Sequence, residues 1–243
     1  MIKRNYYKVV RVFPDPSSYF YIKNETMSRN YIDFNSSWLY TVNLECSFDK
    51  VNWTVVNRGF NIPADGYMYL RNTSGTFCTS EYTQVLYIDR NVSLGGDVRT
   101  LFNYTDVESV TKIPDYGFSS TYAMQNDSKI TDISNLSFRG ITEIGNNGLH
   151  LAFAWEHIGT KGIDLRDVTT LGENALCNMY DNNINLTEVY APNVSTWDAS
   201  KTTDWLNNVA STGVVYKPST LDIPTNVSSG IPSGWTTQDY PTI

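Results

Sequence analysis

The apolar pattern changes character near residue 103. Before it, short β-prone runs alternate with turns. Tyr6–Phe13 ends at Pro14-Asp15-Pro16, and Tyr19–Ile22 is a second run. From Trp38 to Phe48, the apolar set Tyr40, Val42, Leu44, Cys46 and Phe48 alternates with Leu39, Thr41, Asn43 and Glu45. That is the period of a strand with one buried face. Asp49-Lys50-Val51-Asn52 turns the chain into Trp53–Val56, Pro63-Ala64-Asp65-Gly66 precedes Tyr67–Leu70, and Val85–Ile88 is a further strand. No helical period lies between these runs, so residues 1–103 read as a β-sandwich-like module.

Residues 104–216 repeat instead. Val110-Thr111-Lys112-Ile113-Pro114-Asp115-Tyr116-Gly117-Phe118, then Tyr122, matches Ile141–Leu149 with Phe153 and Val168–Leu176 with Tyr180. The shared pattern is [VI]-T-x-[IL]-x-x-x-[GA]-[FL]-x-x-x-[YF], at offsets of 31 and 27 residues. A period of this size marks a solenoid, because one copy has nowhere to bury its apolar ridge and stacked copies do. Successive layers about 4.8 Å apart predict three ladders: Ile113/Ile144/Leu171, Phe118/Leu149/Leu176 and Tyr122/Phe153/Tyr180. Ile130–Ile133, Ile163–Leu165 and Leu186–Val189 are expected as the other strand of each coil. Asp198 is placed to cap a helix running to Ala210, with Gly213 just past its end, which closes the stack. Val214–Tyr216 is expected as the last strand. Residues 217–243, with Pro218, Pro224, Pro232 and Pro241, are expected to wrap the surface in extended form, held by Trp235.

Composition narrows the function. Eighteen basic against 25 acidic residues give a net charge of −7, the opposite of a nucleic-acid footprint. No apolar run reaches the length of a membrane-spanning helix, and the N-terminus MIKRNYYKVVRVF does not read as a secretory signal. Three Cys (Cys46, Cys78, Cys177) and two His leave no metal-ligand spacing, and a Cys46–Cys78 bridge stays open. The 24 Asn, 26 Thr and 22 Ser generate 11 glycosylation sequons, read here as unglycosylated.

Several motifs were weighed for chemistry. Gly95-Gly96 lacks the Lys and helix of a phosphate loop and is read as a turn. Cys177 with His150 or His157 is read as packing rather than a nucleophile pair. Glu143 with Glu173, and Asp164 with Asp167, are read as solvated coil faces rather than a glycosidase pair. No cofactor or metal site and no catalytic residues are expected. Trp155, Trp197 and Tyr190 with Asn182, Asn183 and Asn193 form the best set for stacking on sugars and bonding their hydroxyls, against the simpler reading of packing at coil corners. Lys3, Arg4, Lys8 and Arg11 form a basic cluster, either an arm that docks on a neighbouring protein or an ordinary first strand.

The repeats resemble the BspA-type leucine-rich repeat, with its T-x-I-G-x-x-A-F core; Ile141–Gly145 and Leu171–Leu176 carry the match, and Pro114 departs from it, implying an irregular first coil. Leu44–Trp53 and Ala64–Arg71 are similar to the β module that precedes such repeats, and Val92–Leu101 looks like the joint between the two. The closing Trp205–Pro218 and Ile231–Thr236 are similar to the ends of such proteins. The resemblance implies a mainly β chain: a β-sandwich-like attachment module, a short repeat solenoid and a C-terminal capping helix. This pairing is familiar from surface proteins of gut Bacteroidota and from virion proteins of the tailed phages that infect them, including the crAss-like group. With no export signal read, the expectation is a virion structural protein, on the capsid surface or in a fibre. Its partners would be other virion proteins and host surface polysaccharide, its state a homo-oligomer, a trimer by analogy with fibres. The alternatives are a BspA-like bacterial surface adhesin and a polysaccharide-degrading fibre domain.

Overall fold

Alternating side chains decide the buried faces of the first half. In Phe20–Asn24 (β1), Phe20, Ile22 and Asn24 are buried while Tyr21 and Lys23 face outward. The same alternation holds in Tyr67–Asn72 (β6) and over Leu44, Glu45 and Cys46 of Leu44–Ser47 (β3), where Ser47 is buried as well. These strands join Thr54–Val55 (β4), Val92–Asp97 (β8) and Ile130–Ser137 (β10) in a six-stranded sheet of order β10-β8-β1-β6-β3-β4. A second, antiparallel sheet holds Asn30–Phe34 (β2), Phe60–Ile62 (β5) and Leu86–Ile88 (β7) in the order β5-β2-β7. Its inward Ile32, Ile62 and Ile88 belong to the same apolar cluster as Phe20, Ile22, Leu44, Met68 and Leu70. Neither β2 nor β5 stood out in the sequence, since each offers a single buried Ile.

The computed structural model describes residues 19–34, 43–57, 59–72, 86–119 and 129–241. The expected strand Tyr6–Phe13, the basic cluster Lys3, Arg4, Lys8 and Arg11, Cys78 and Tyr122 lie outside the described residues. The chain is mainly β. Among the described residues no helix is long and apolar enough to cross a membrane.

The repeats stack in the predicted register. Lys112–Ile113 (β9), Glu143–Ile144 (β11) and Thr170–Leu171 (β13) form a parallel sheet in which Ile113, Ile144 and Leu171 are partners. Pro114 does not disturb it: β9 pairs regularly, and Pro sits at the outer edge, where its missing N–H leaves no carbonyl unpaired. Phe118, Leu149 and Leu176 are buried, and the Phe153 and Tyr180 rings stack with centroids 5.9 Å apart. Opposite lies a second parallel sheet of Lys161–Asp164 (β12), Glu188–Tyr190 (β14), Gly213–Lys217 (β15) and Trp235–Asp239 (β16).

The repeat residues have separable physical roles. The Thr142 N–H and Oγ1–H both donate to the Thr111 carbonyl, at 2.8 and 3.3 Å. Thr169 repeats this on Thr142 at the same distances. A Cβ on Gly145 would lie 2.7 Å from the Asp115 nitrogen, so close approach of the preceding layer needs glycine there; among the described residues no strand precedes β9, where the position is Pro114. A Cβ on Gly117 or Gly148 would lie 2.7 Å from the Cγ2 of Ile113 or Ile144. Leu171 has no Cγ2, and there the position is Ala175.

Between the two parallel sheets run overlapping β-turns with a left-handed residue every fourth position. In successive layers these are Asn147, Leu151 and Trp155, then Asn174, Asn178 and Asn182, then Asp204 and Asn208, with φ of 50–62°. Asn and Asp tolerate this conformation best among residues with a side chain.

Two expected elements differ. The helix begins at Asp198, whose side chain accepts from the Ser200 N–H, but ends at Thr202 (α2, Ala199–Thr202; α1 is Thr100–Asn103). The N–H groups of Leu176, Asn178, Tyr180 and Asn182 bond the carbonyls of Lys201, Thr203, Trp205 and Asn207. A helix through Ala210 would have consumed those carbonyls internally. The expected last strand, Val214–Tyr216, is followed by β16, which adds another layer within the predicted wrap. Trp235 does anchor this segment: its Nε1 donates to the Ala210 carbonyl, as Trp205 Nε1 does to Gly230 and Trp197 Nε1 to Ser229. Gly95-Gly96 is strand rather than turn. A Cβ there would strike the Tyr21 ring at Gly95 and the Tyr19 carbonyl at Gly96, whose φ is 81°.

β8 pairs antiparallel with β1 on one side and parallel with β10 on the other, joining residues on either side of position 103 in one sheet. Beside it, Arg99 and Asp97, 3% and 1% exposed, pair at 2.8 Å, and Arg99 also reaches Glu108 at 3.2 Å.

Gly148→Ala is expected to cost about 1–3 kcal/mol by overpacking, and Ile144→Leu to recover most of it by removing the Cγ2; a double-mutant cycle from urea unfolding measures the coupling. Leu151→Asn relieves a left-handed Leu and is expected to raise the melting temperature by about 2–4 °C per kcal/mol gained, as read by calorimetry.

Candidate functional site

The expected sugar-contacting residues do not converge. Trp155 and Asn182 occupy equivalent left-handed turn positions one layer apart. Trp155 donates its N–H to the Asp181 carbonyl at 2.7 Å and leaves its indole 44% exposed. The Asn182 Oδ1 accepts from Asn208 Nδ2 at 3.1 Å. Tyr190 is only 2% exposed: its ring stacks on Tyr216 at 4.7 Å, with Lys161 and Arg166 each 5.1 Å from it. Asn183 is fully buried and spends its amide N–H groups on the Phe153 and Tyr180 carbonyls, closing the turn series. Neither presents a surface to an external sugar. Trp197 is half-buried against Trp205, with centroids 5.0 Å apart, and Asn193 is exposed, its N–H bonded to the Val168 carbonyl.

A larger aromatic surface lies on the outward face of the six-stranded sheet. Tyr67 and Tyr69 stack with rings 7° from parallel, and Tyr21 meets Tyr67 edge-on at 5.3 Å. Lys50 lies 4.5 Å from the centre of Tyr69, and Arg71 sits 3.9 Å from that of Trp53 and 4.1 Å from that of Tyr104. Glu45 pairs with Arg71 at 2.6 Å, and Lys23 with Glu25 at 3.0 Å. Cations beside rings are attracted by the ring quadrupole, so this face is a fixed array of aromatic and charged groups. Burial first, then the neighbouring tyrosines and Asp132, push the Tyr21 hydroxyl up to about 12. The alternation Tyr19, Tyr21, Lys23 and Tyr67, Tyr69, Arg71 was the signal for this face in the sequence, where these residues read only as parts of short strands.

The groups with catalytic potential are committed elsewhere. Glu143 pairs with Lys112 at 2.6 Å, Asp164 with Arg166 at 2.7 Å, and Asp167 accepts from the Gly140 N–H. At Glu173 it is the backbone that is engaged: its N–H bonds the Asn146 side chain and its carbonyl accepts from Asn147. Cys46 and Cys177 are free and buried; burial pushes the Cys46 thiol up to about 11 and raises Cys177 as well, so neither is a ready thiolate. Among the described residues no group of three His, Cys, Asp or Glu side chains is placed to hold a metal.

One recess stands out, of about 420 Å³, beside the outer edge of β13. Thr169, Thr170 and Leu171 form one wall, and Val194, Ser195 and Trp197 another.

Comparison with protein-family models, with characterised proteins and with solved structures returns no match.

Proposed function

We propose that the protein is a non-enzymatic structural and display protein of a tailed-phage virion, a capsid-surface or fibre component. In this reading a short BspA-like leucine-rich-repeat solenoid is carried on a β-sandwich-like attachment module. The observation that carries the display role is the hydrogen bonding that joins the N-terminal sheet to the layers through β1, β8 and β10, with β10 lying beside β12. Such a body transmits load without a flexible linker, and its Glu143 and Asp164 are paired with Lys112 and Arg166. The virion assignment rests on the resemblance of the two modules and their order. Adhesion to host polysaccharide would use exposed aromatics beside amides, with Trp155 next to Asn182 the best such pair, and weak contacts would gain strength from multiple copies.

Mass spectrometry of purified particles tests the location: peptides of this chain at a fixed copy number support it, and their absence from clean particles rejects it. For adhesion, Trp155→Ala is expected to reduce retention on host capsule by about 0.5–1.5 kcal/mol per lost stacking contact in a multivalent array, with no release of reducing sugar by either form. Equal retention of the two forms would reject the Trp155 contact, and release of reducing sugar would favour a depolymerase.

A further inference from the structure

The β9–β11–β13 strands pair in parallel, and each layer repeats the same bonds to the one before it. Glu143 and Gly145 donate N–H backward to the Thr111 and Ile113 carbonyls, at 3.2 and 2.8 Å. Thr170 and Gly172 donate to Thr142 and Ile144, at 3.1 and 2.7 Å. By the same register, the Thr169 and Leu171 carbonyls face forward from β13. Among the described residues no strand pairs with β13 on that side and no donor meets these two carbonyls. The next layer does not add a strand here. After Asn193 the chain swings outward through Val194–Asp198, which leaves the recess beside β13. Leu171 is accordingly 7% exposed, whereas its ladder partners Ile113 and Ile144 are fully buried.

We propose that this open edge captures an extended segment of another polypeptide as a fourth parallel strand, by β-strand addition. The layers already formed state what the segment must carry. A Thr supplies N–H and hydroxyl donors to the Thr169 carbonyl, as Thr169 supplies them to Thr142. An Ile or Leu two residues later extends the column against Leu171, with Val194 and Trp197 as its outer wall. The residue after it must own an N–H to reach the Leu171 carbonyl, and Gly suits the close approach, as at Gly145 and Gly172. The recognised element is therefore Thr-x-(Ile/Leu)-Gly, and docking continues the layer-to-layer interface that this sheet already builds twice.

A second copy of this chain is the poorer occupant. The other edge of this sheet is β9, where the positions equivalent to Glu143 and Gly145 are Lys112 and Pro114. Pro114 has no N–H, so head-to-tail stacking loses one of the repeated bonds. Proline and lysine on a sheet edge discourage strand pairing. Among the described residues the sheet is thus blunted at β9 and open at β13.

The test is fluorescence anisotropy of a labelled peptide Ile-Thr-Glu-Ile-Gly-Asn, the sequence of residues 141–146, titrated with the full chain. Saturable binding is expected. A peptide with Pro in place of Gly is expected to bind about tenfold or more weaker, about 1.4 kcal/mol. Ser195→Arg, at an exposed position on the recess wall, is expected to weaken binding similarly with an unchanged melting temperature. Absence of saturable binding, or equal binding of the Pro peptide, overturns the proposal without requiring any protein variant. Concentration-dependent self-association of the unmodified chain that Ser195→Arg abolishes would also overturn it, by assigning the edge to a second copy.

Discussion

The structure depends on the hydrogen bonds that join each layer to the next. In the sheet through Ile144, the Gly145 N–H bonds back to the Ile113 carbonyl, and the Ile144 carbonyl accepts from Gly172 of the next layer. The sheet through Val189 is bonded in both directions: Val214 donates back to Thr187, and Ala191 donates forward to Tyr216. A buried backbone group without a partner costs about 1–3 kcal/mol, so a layer is stable only with a neighbour on its open side. The six-stranded sheet supplies that neighbour at one end through β8 and β10. At the other, the Trp197, Trp205 and Trp235 indoles fasten the closing segments to backbone carbonyls.

Side-chain identity follows from this backbone constraint. Glycine appears where the previous layer comes within contact distance, at Gly145 and Gly172, and is replaced by Pro114 at β9, which no described strand precedes. The pairs Ile113–Gly117, Ile144–Gly148 and Leu171–Ala175 trade one methyl between neighbours across a turn. The Asn-rich composition has a physical origin as well, because the turn series demands a left-handed residue every fourth position. Leu151 and Trp155 meet that demand without the advantage of Asn, which marks the layer containing them as the more strained.

The repeat register was legible because apolar side chains, threonines and glycines recur at fixed offsets, and each reports a separate contact. The short helix was misread because Asp198 is a genuine cap, whereas what stops the helix is the need of Asn178 and Tyr180 for carbonyls, a demand made by residues more than 20 positions away. β16 was hidden by the prolines around it, and β2 and β5 by having one inward Ile each. For the surface, residue type alone misplaced Tyr190 and Asn183: an aromatic ring and an amide serve a turn or a sheet interior as readily as a ligand. The tyrosine face around Tyr67 and Tyr69 was visible as an alternation of rings with apolar residues, but only the structure separates the two faces. Pro114 reads in sequence as a flaw in the repeat, and in structure as the closed edge of the sheet.

Native-state hydrogen exchange resolved by residue tests the central claim most directly. If layer bonding forms one body from the N-terminal sheet through the stack, the amides of Ile22, Leu94, Gly145, Gly172 and Val214 will open together, with a common free energy close to that of global unfolding. Protection that divides into two classes at residue 103, with the layers opening at much lower free energy than β1 and β8, would contradict it.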